Sequence, residues 1–141
     1  MMSFRVEPRP SIDVAAGLVF RDGKLLITKR HADAHLGGLW EFPGGKREPN
    51  ETFEECLHRE LLEELGIQVT ILEMVESSTH AYPEKTVHLR FFRCAWKKHE
   101  PQPLDCSAFK WVSSGELAAH EFPAADERLL DQLRTNSDLW R

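Results

Sequence analysis

Apolar positions along the chain fall into two rhythms. Residues 12–21, IDVAAGLVFR, are apolar almost throughout, and KLLITKR resumes the pattern after Asp22-Gly23. Short apolar runs rich in branched side chains predict strands, and an Asp-Gly pair between two of them predicts a hairpin turn. Over 85–96, Val87, Leu89 and Phe91 alternate with His88 and Arg90, which predicts a strand with two unlike faces. Residues 67–79 and AFKWVS (108–113) are also strand-like, and LWEFP (39–43) predicts a short extended piece.

The second rhythm occupies 52–65, where Leu57, Leu61 and Leu65 recur every four residues and predict the buried stripe of a helix. Thr52 and Glu55 fit a capping box at its start, and Gly66 suits its end. Pro123 suits the first turn of a closing helix over 124–135. Ser113-x-x-Glu116 fits the cap of a brief helix. HADAHLGG (31–38) and HEPQPLDCS (99–107) are expected as loops, and Gly44-Gly45 as a turn. No repeat or linker interrupts the 141 residues. They predict one domain, 1–141, with 1–10 as a leader and 136–141 as a tail. The order of elements predicts a mixed α/β fold with helices flanking a largely antiparallel or mixed sheet. Helices do not separate the strands regularly enough for a doubly wound sheet.

Composition narrows the function. Hydrophobic residues make up 41% and charged residues 29% of the chain, as in a globular domain with a core. The net charge of −5 argues against a nucleic-acid polymer as partner. A single nucleotide remains compatible, because a bound cation reverses the local sign. Cys56, Cys94 and Cys106 have no metal-type spacing and read as reduced thiols. No secretory signal and no run of about 18 apolar residues is present, so no membrane association and a cytoplasmic location are expected.

The chemistry concentrates in residues 37–67, which carry Glu41, Glu48, Glu51, Glu54, Glu55, Glu60, Glu63 and Glu64 beside Gly44-Gly45. Glu54 and Glu55 fit the first turn of a helix, where its dipole favours acids. Glu60, Glu63 and Glu64 share one helix face at i, i+3, i+4, next to the leucine stripe. Arg59 can hold a carboxylate by a two-pronged hydrogen bond. Clustered oxygen ligands without His or Cys suit Mg²⁺, with Mn²⁺ as a substitute, and such ions bridge to substrate phosphates.

Gly45, five residues, Glu51, seven residues, then Arg59-Glu60-Leu61-x-Glu63-Glu64-x-Gly66-Ile67 resembles the Nudix box without a departure. The resemblance implies a Nudix-type α/β/α sandwich around a mixed, largely antiparallel sheet. It also implies hydrolysis of a nucleoside diphosphate linked to another group. By that likeness Glu60, Glu63, Glu64 and the carbonyl of Gly44 hold metal, Arg59 orients a glutamate and Glu51 supports the site. TKRHADAHLGGLWEFPGGK and EFPAADERLLDQL extend the likeness to the MutT branch, which sanitises oxidised purine nucleoside triphosphates. On that basis Arg30, His35 and Lys46 lie near the phosphates or sugar and Phe42 beside the base. Glu41 and Asp126 complete the substrate side, and Asp105 stands where this branch places a catalytic Glu. The partner expected is a small nucleotide, and the chain is expected as a monomer or homodimer.

Asp126 departs from the best-known members of that branch, which have Asn there. An ionised Asp only accepts hydrogen bonds. It would repel N7 of ordinary guanine and welcome the N7–H of 8-oxoguanine, or the exocyclic amine of cytosine. The expectation is therefore an 8-oxo-dGTP diphosphatase, with a cytidine-type diphosphatase as the alternative. A nucleotide-binding module without catalysis is a third possibility, opposed by the intact glutamates.

Overall fold

The computed structural model describes residues 10–141, so nearly all of the expected leader, 1–10, lies outside the described residues. Seven strands form one mixed sheet: β1 (Ser11–Arg21), β2 (Lys24–Lys29), β3 (Trp40–Glu41), β4 (Gly44–Lys46), β5 (Gln68–Ala81), β6 (Thr86–Lys98) and β7 (Ala108–Val112). Along the sheet the order is β3-β2-β1-β6-β5, with β4 also paired to β1 and β7 to β2. β1 and β6 run parallel over ten residue pairs, from Ser11–Thr86 to Phe20–Ala95, and all other pairings are antiparallel.

Two helices cover the faces, as the α/β/α expectation requires. α1 (Phe53–Leu65) begins at Thr52, whose hydroxyl accepts from the Glu55 N–H while the Glu55 carboxylate accepts from the Thr52 N–H. It ends at Gly66, left-handed at φ 70°. Strand alternation divides the core between the helices. Ala15, Val19, Leu26, Phe92 and Cys94 pack with Leu57, Leu61 and Leu65 of α1. Ala16, Leu18, Phe20, Leu25, Ile27 and Phe91 pack with Leu129 and Leu133 of α2 (Glu127–Thr135). Among the described residues no helix is long and apolar enough to cross a membrane.

Four local expectations are corrected. Gly44-Gly45 is not a turn but part of β4, paired with Ala15 and Ala16. Glycine is needed because a Cβ on Gly44 would fall on the Ala15 carbonyl oxygen. Pro123 precedes a single 3-10 turn, Ala124–Asp126, and only then does α2 start. Ser113 does not cap a helix with its side chain; its N–H donates to the Glu116 carboxylate, and a 3-10 turn, Leu117–Ala119, follows. Residues 136–141 are not a loose tail. Ser137–Trp140 forms a 3-10 turn, and the buried Trp140 indole N–H donates to the Leu133 carbonyl at 2.8 Å. Burial of an indole with its polar atom satisfied anchors that end.

Candidate active site

Arg59 organises the acidic face of α1. Its Nε and Nη2 donate to the two oxygens of Glu51 at 3.1 and 2.6 Å. Its Nη1 donates to Glu60 at 2.8 Å and Glu63 at 3.3 Å, and its Nη2 also reaches the Lys46 carbonyl at 3.0 Å. One planar guanidinium thus ties the loop before α1, the helix and β4 together. The Arg59 fork, helped by the Glu48 N–H, holds the Glu51 carboxyl down at about 2.

The three helix carboxylates have unequal surroundings. Glu63 is 60% exposed. Glu60 is half-buried over Gly45, and burial raises its pKa against the pull of Arg59. Glu64 is buried at 7% exposure beside the leucine stripe and accepts one hydrogen bond, from Gly44 N–H at 3.4 Å. Burial, and then the like charges of Glu41, Glu60 and Asp105, push its pKa up to about 8.

Among the described residues no three His, Cys, Asp or Glu side chains converge tightly enough to cage a metal ion. The donor set still fits one kind of ion. Glu60 and Glu64 flank the Gly44–Gly45 backbone with hard oxygens, and among the described residues no cationic side chain is hydrogen-bonded to the buried Glu64. An open, all-oxygen wall suits a divalent ion that keeps waters and shares its shell with phosphates.

A cleft of about 330 Å³ runs from this wall across the sheet. Val14, Ala16, Leu89 and Phe91 belong to its apolar lining. Arg30, His35, Glu41, Phe42, Lys46 and Asp126 all line it, so the structure brings these six together, with Gly44 and Gly45. Arg30 is engaged rather than free: Nη1 meets Glu41 Oε2 at 2.7 Å and Nε donates to the His35 carbonyl at 2.7 Å. Phe42 stacks on Phe122 at 5.0 Å and meets Phe91 edge-on at 6.1 Å, so it serves core and cleft at once. Asp126 is buried, and burial together with the Glu41 charge raises it to about 6. Burial outweighs Arg30 and raises Glu41 too.

Asp105 does not line the cleft. Its N–H donates to the Glu64 carbonyl at 3.1 Å, while its side chain is 82% exposed and 3.5 Å from His31 Nε2. The sequence did not single out Leu36, which lines the cleft with φ 56° and 43% exposure; no local pattern marks it. Tyr82 and Lys85, from the β5–β6 hairpin, also line it, and so do Val87, Leu89 and Phe91. The alternation of those last three was the signal for them. The cysteine thiols are buried and pushed up to about 11 or 12 by burial, which removes thiolate chemistry.

Residues 15–132 match the NUDIX domain family. The chain is similar to the CTP pyrophosphohydrolase of Escherichia coli K12, 39% identical over 126 residues, covering 85% of this chain and 89% of that protein. It is also similar to the 8-oxo-dGTP diphosphatase of the same strain, 33% identical over 124 residues, covering 87% and 96%. Among solved structures it resembles the solution structure of the E. coli ORF135 protein. That match has a TM-score of 0.75 and 36% identity, and covers 87% of this chain and 88% of that one.

Proposed function

The chain belongs to the Nudix hydrolase family, and on that premise we propose that it is an Mg²⁺-dependent nucleoside triphosphate diphosphatase acting on 8-oxo-dGTP. Mn²⁺ substitutes for Mg²⁺. The observation that carries the proposal is one continuous cleft, with a buried acceptor, Asp126, in its lining and Gly44 and Gly45 at its other end, against which Glu64 and Glu60 of α1 lie.

Glu60 and Glu64, with Glu63 and the Gly44 carbonyl, would hold the cation; Arg59, itself held by Glu51, fixes the Glu60 carboxylate. A bound divalent ion supplies charge neutralisation of the polyphosphate and acidifies water. Lys46 and Arg30 face the phosphates and sugar, with Glu41 keeping Arg30 in place. Water adds to the α- or the β-phosphorus, its P–O bond to the oxygen bridging the two breaks, and a carboxylate of the set takes the proton. Nucleoside monophosphate and pyrophosphate leave. Asp105 lies outside the cleft lining and acts on the site only through its charge, which helps to raise Glu64. In this role 1–141 is one catalytic domain that removes oxidised nucleotides from the cytoplasmic pool before DNA replication.

At neutral pH Asp126, raised only to about 6, is largely ionised and accepts the N7–H of 8-oxoguanine. A second possibility, cytidine-type nucleotides, is favoured by the 39% identity to a CTP pyrophosphohydrolase. A protonated Asp126 both donates and accepts, which complements N3 and the amine of cytosine. A pyrophosphate-release screen with Mg²⁺ over 8-oxo-dGTP, dGTP, CTP, dCTP and 5-methyl-dCTP separates the two. A higher kcat/KM on 8-oxo-dGTP than on every cytosine nucleotide is expected; the reverse order overturns the oxidised-guanine assignment.

A further inference from the structure

Two guanidiniums grip Glu51 from different sides. Arg59 takes its carboxylate, at 3.1 and 2.6 Å. Arg47 takes its backbone: Nη1 donates to the Glu51 carbonyl at 2.9 Å and to the Glu48 carbonyl at 3.3 Å. The other edge of the Arg47 guanidinium, Nε and Nη2, donates to Asp13 Oδ2 at 3.1 and 2.7 Å.

Asp13 belongs to β1, two residues before Ala15, and so stands on the sheet face that α1 covers. The Arg47 N–H also donates to the Asp13 carbonyl, at 2.8 Å. Residues 47–52 join β4 to α1 and belong to neither. Within them the Glu51 N–H donates to the Glu48 carbonyl at 3.2 Å, and the Glu48 N–H to the Glu51 carboxylate at 2.8 Å. Arg47 satisfies two carbonyls of this loop at once and ties them to the sheet, which a single planar fork of donors can do. The Asp13 and Arg47 side chains are 28% and 27% exposed, so the pair is shielded more than a fully solvated one.

A chain of contacts results. Asp13 holds Arg47, Arg47 holds the Glu51 backbone, Glu51 holds Arg59, and Arg59 reaches Glu60 at 2.8 Å. Its first two members are not among the residues to which the Nudix likeness gives a role. We propose that Arg47, seated on Asp13, is a positioning residue for the Glu60 carboxylate and acts through Glu51 and Arg59. The proposal rests on the diphosphatase reading for the role of Glu60 toward a divalent ion.

Charge and position predict opposite signs. Arg47 is a cation behind an acidic face, so by charge alone its loss would tighten the binding of a divalent ion. If it places Glu51, its loss weakens that binding. Arg47→Met keeps the stem and removes the donors, and Asp13→Asn keeps the shape and removes the charge. The test titrates Mn²⁺ alone into the whole protein, with free ion counted by electron paramagnetic resonance and thermal melts reporting the fold. The dissociation constant of Arg47→Met should rise at least about fivefold over wild type, and that of Asp13→Asn should move the same way. Glu51→Gln should also weaken binding. Adding Arg47→Met to it should cost no more than about a further twofold, because both act along one chain of contacts.

Unchanged or tighter Mn²⁺ binding in Arg47→Met, whatever its Tm, overturns the positioning role. So does full additivity with Glu51→Gln, or a wild-type protein that binds no Mn²⁺. Should Arg47→Met fail to fold, the same cycle with Asp13→Asn decides: non-additivity supports the role and additivity overturns it. Pyrophosphate release is scored separately. Weakened Mn²⁺ binding in the variants, with no triphosphate hydrolysed by wild type, sinks the diphosphatase reading and keeps the positioning role.

Discussion

The Glu60 carboxylate occupies the space where a side chain on Gly45 would begin, so a Cβ at that position would collide with its carboxyl carbon and lie 2.7 Å from Oε1. Gly45→Ala should therefore displace the carboxylate proposed to hold metal while leaving the backbone, whose φ is ordinary, able to fold. Turnover should fall at least tenfold with a small change in Tm. Gly44→Ala should behave differently, since its Cβ would strike the Ala15 carbonyl in the β1–β4 pairing. A clear loss of Tm is expected there. Steady-state kinetics and thermal melts of both variants check the contrast; unchanged turnover in Gly45→Ala would refute it.

Arg59 makes a two-pronged contact with Glu51 and single contacts with Glu60, Glu63 and the Lys46 carbonyl. A lysine keeps the charge and loses the fork. Arg59→Lys should lose at least tenfold in kcat, with little rescue relative to Arg59→Ala. The Mg²⁺ concentration needed for half-maximal activity should rise in both. Near-wild-type kcat in Arg59→Lys would show that charge alone suffices.

Glu64 stands at about 8 in the metal-free protein, above its ordinary 4.5. A raised carboxyl contributes stability that is complete below about 4.5 and is lost as pH rises through 8. Metal-free Glu64→Gln should thus be more stable than wild type at pH 8, by on the order of a few kcal/mol, with the gap closing by pH 4. The same variant should retain less than about a tenth of wild-type turnover. Mg²⁺ binding to wild type at pH 7 should release close to one proton, because the ligand must ionise. Calorimetry in buffers of different ionisation enthalpy counts that proton, and Glu64→Gln should not release it.

Asp126 is buried and raised from 3.8 to about 6 by burial and the Glu41 charge. Its stabilising contribution is complete below about 3.8 and disappears as pH rises through 6. Asp126→Asn should therefore gain on the order of 2–3 kcal/mol relative to wild type between pH 4 and pH 8. Melts across that range measure it, and a pH-independent gap would place the carboxyl in water. Asp126→Ala should change the ratio of kcat/KM among 8-oxo-dGTP, dGTP and dCTP more than it changes kcat. Unchanged ratios would remove it from base recognition.

Local signals were readable and held where the physics is local. The Asp22-Gly23 hairpin, the Thr52–Glu55 capping box, the Gly66 stop and the leucine stripe all stand as their neighbours in sequence dictate. The spacing from Gly45 to Ile67 was sufficient to mark a Nudix chain. Positions that depend on distant partners were misread. Gly44 and Gly45 looked like a turn because glycine favours turns, and they are a strand because β1 and Glu60 approach too closely for any Cβ. Trp140 looked like part of a tail because six residues carry no period, yet it packs edge-on against Phe20 at 5.3 Å.

The sequence by itself determined most of the long strands, the capping of α1 and the order of carboxylates on it, because each depends on torsions and side chains within a few residues. Tertiary structure alone decided three further things. These are the parallel pairing of β1 with β6, the unequal burial of Glu60, Glu63 and Glu64, and the meeting of Asp126 with Glu41 in one cleft. The reason is that strand pairing and desolvation are set by groups far apart in the chain. The titration of a carboxyl follows from which of those groups exclude water from it.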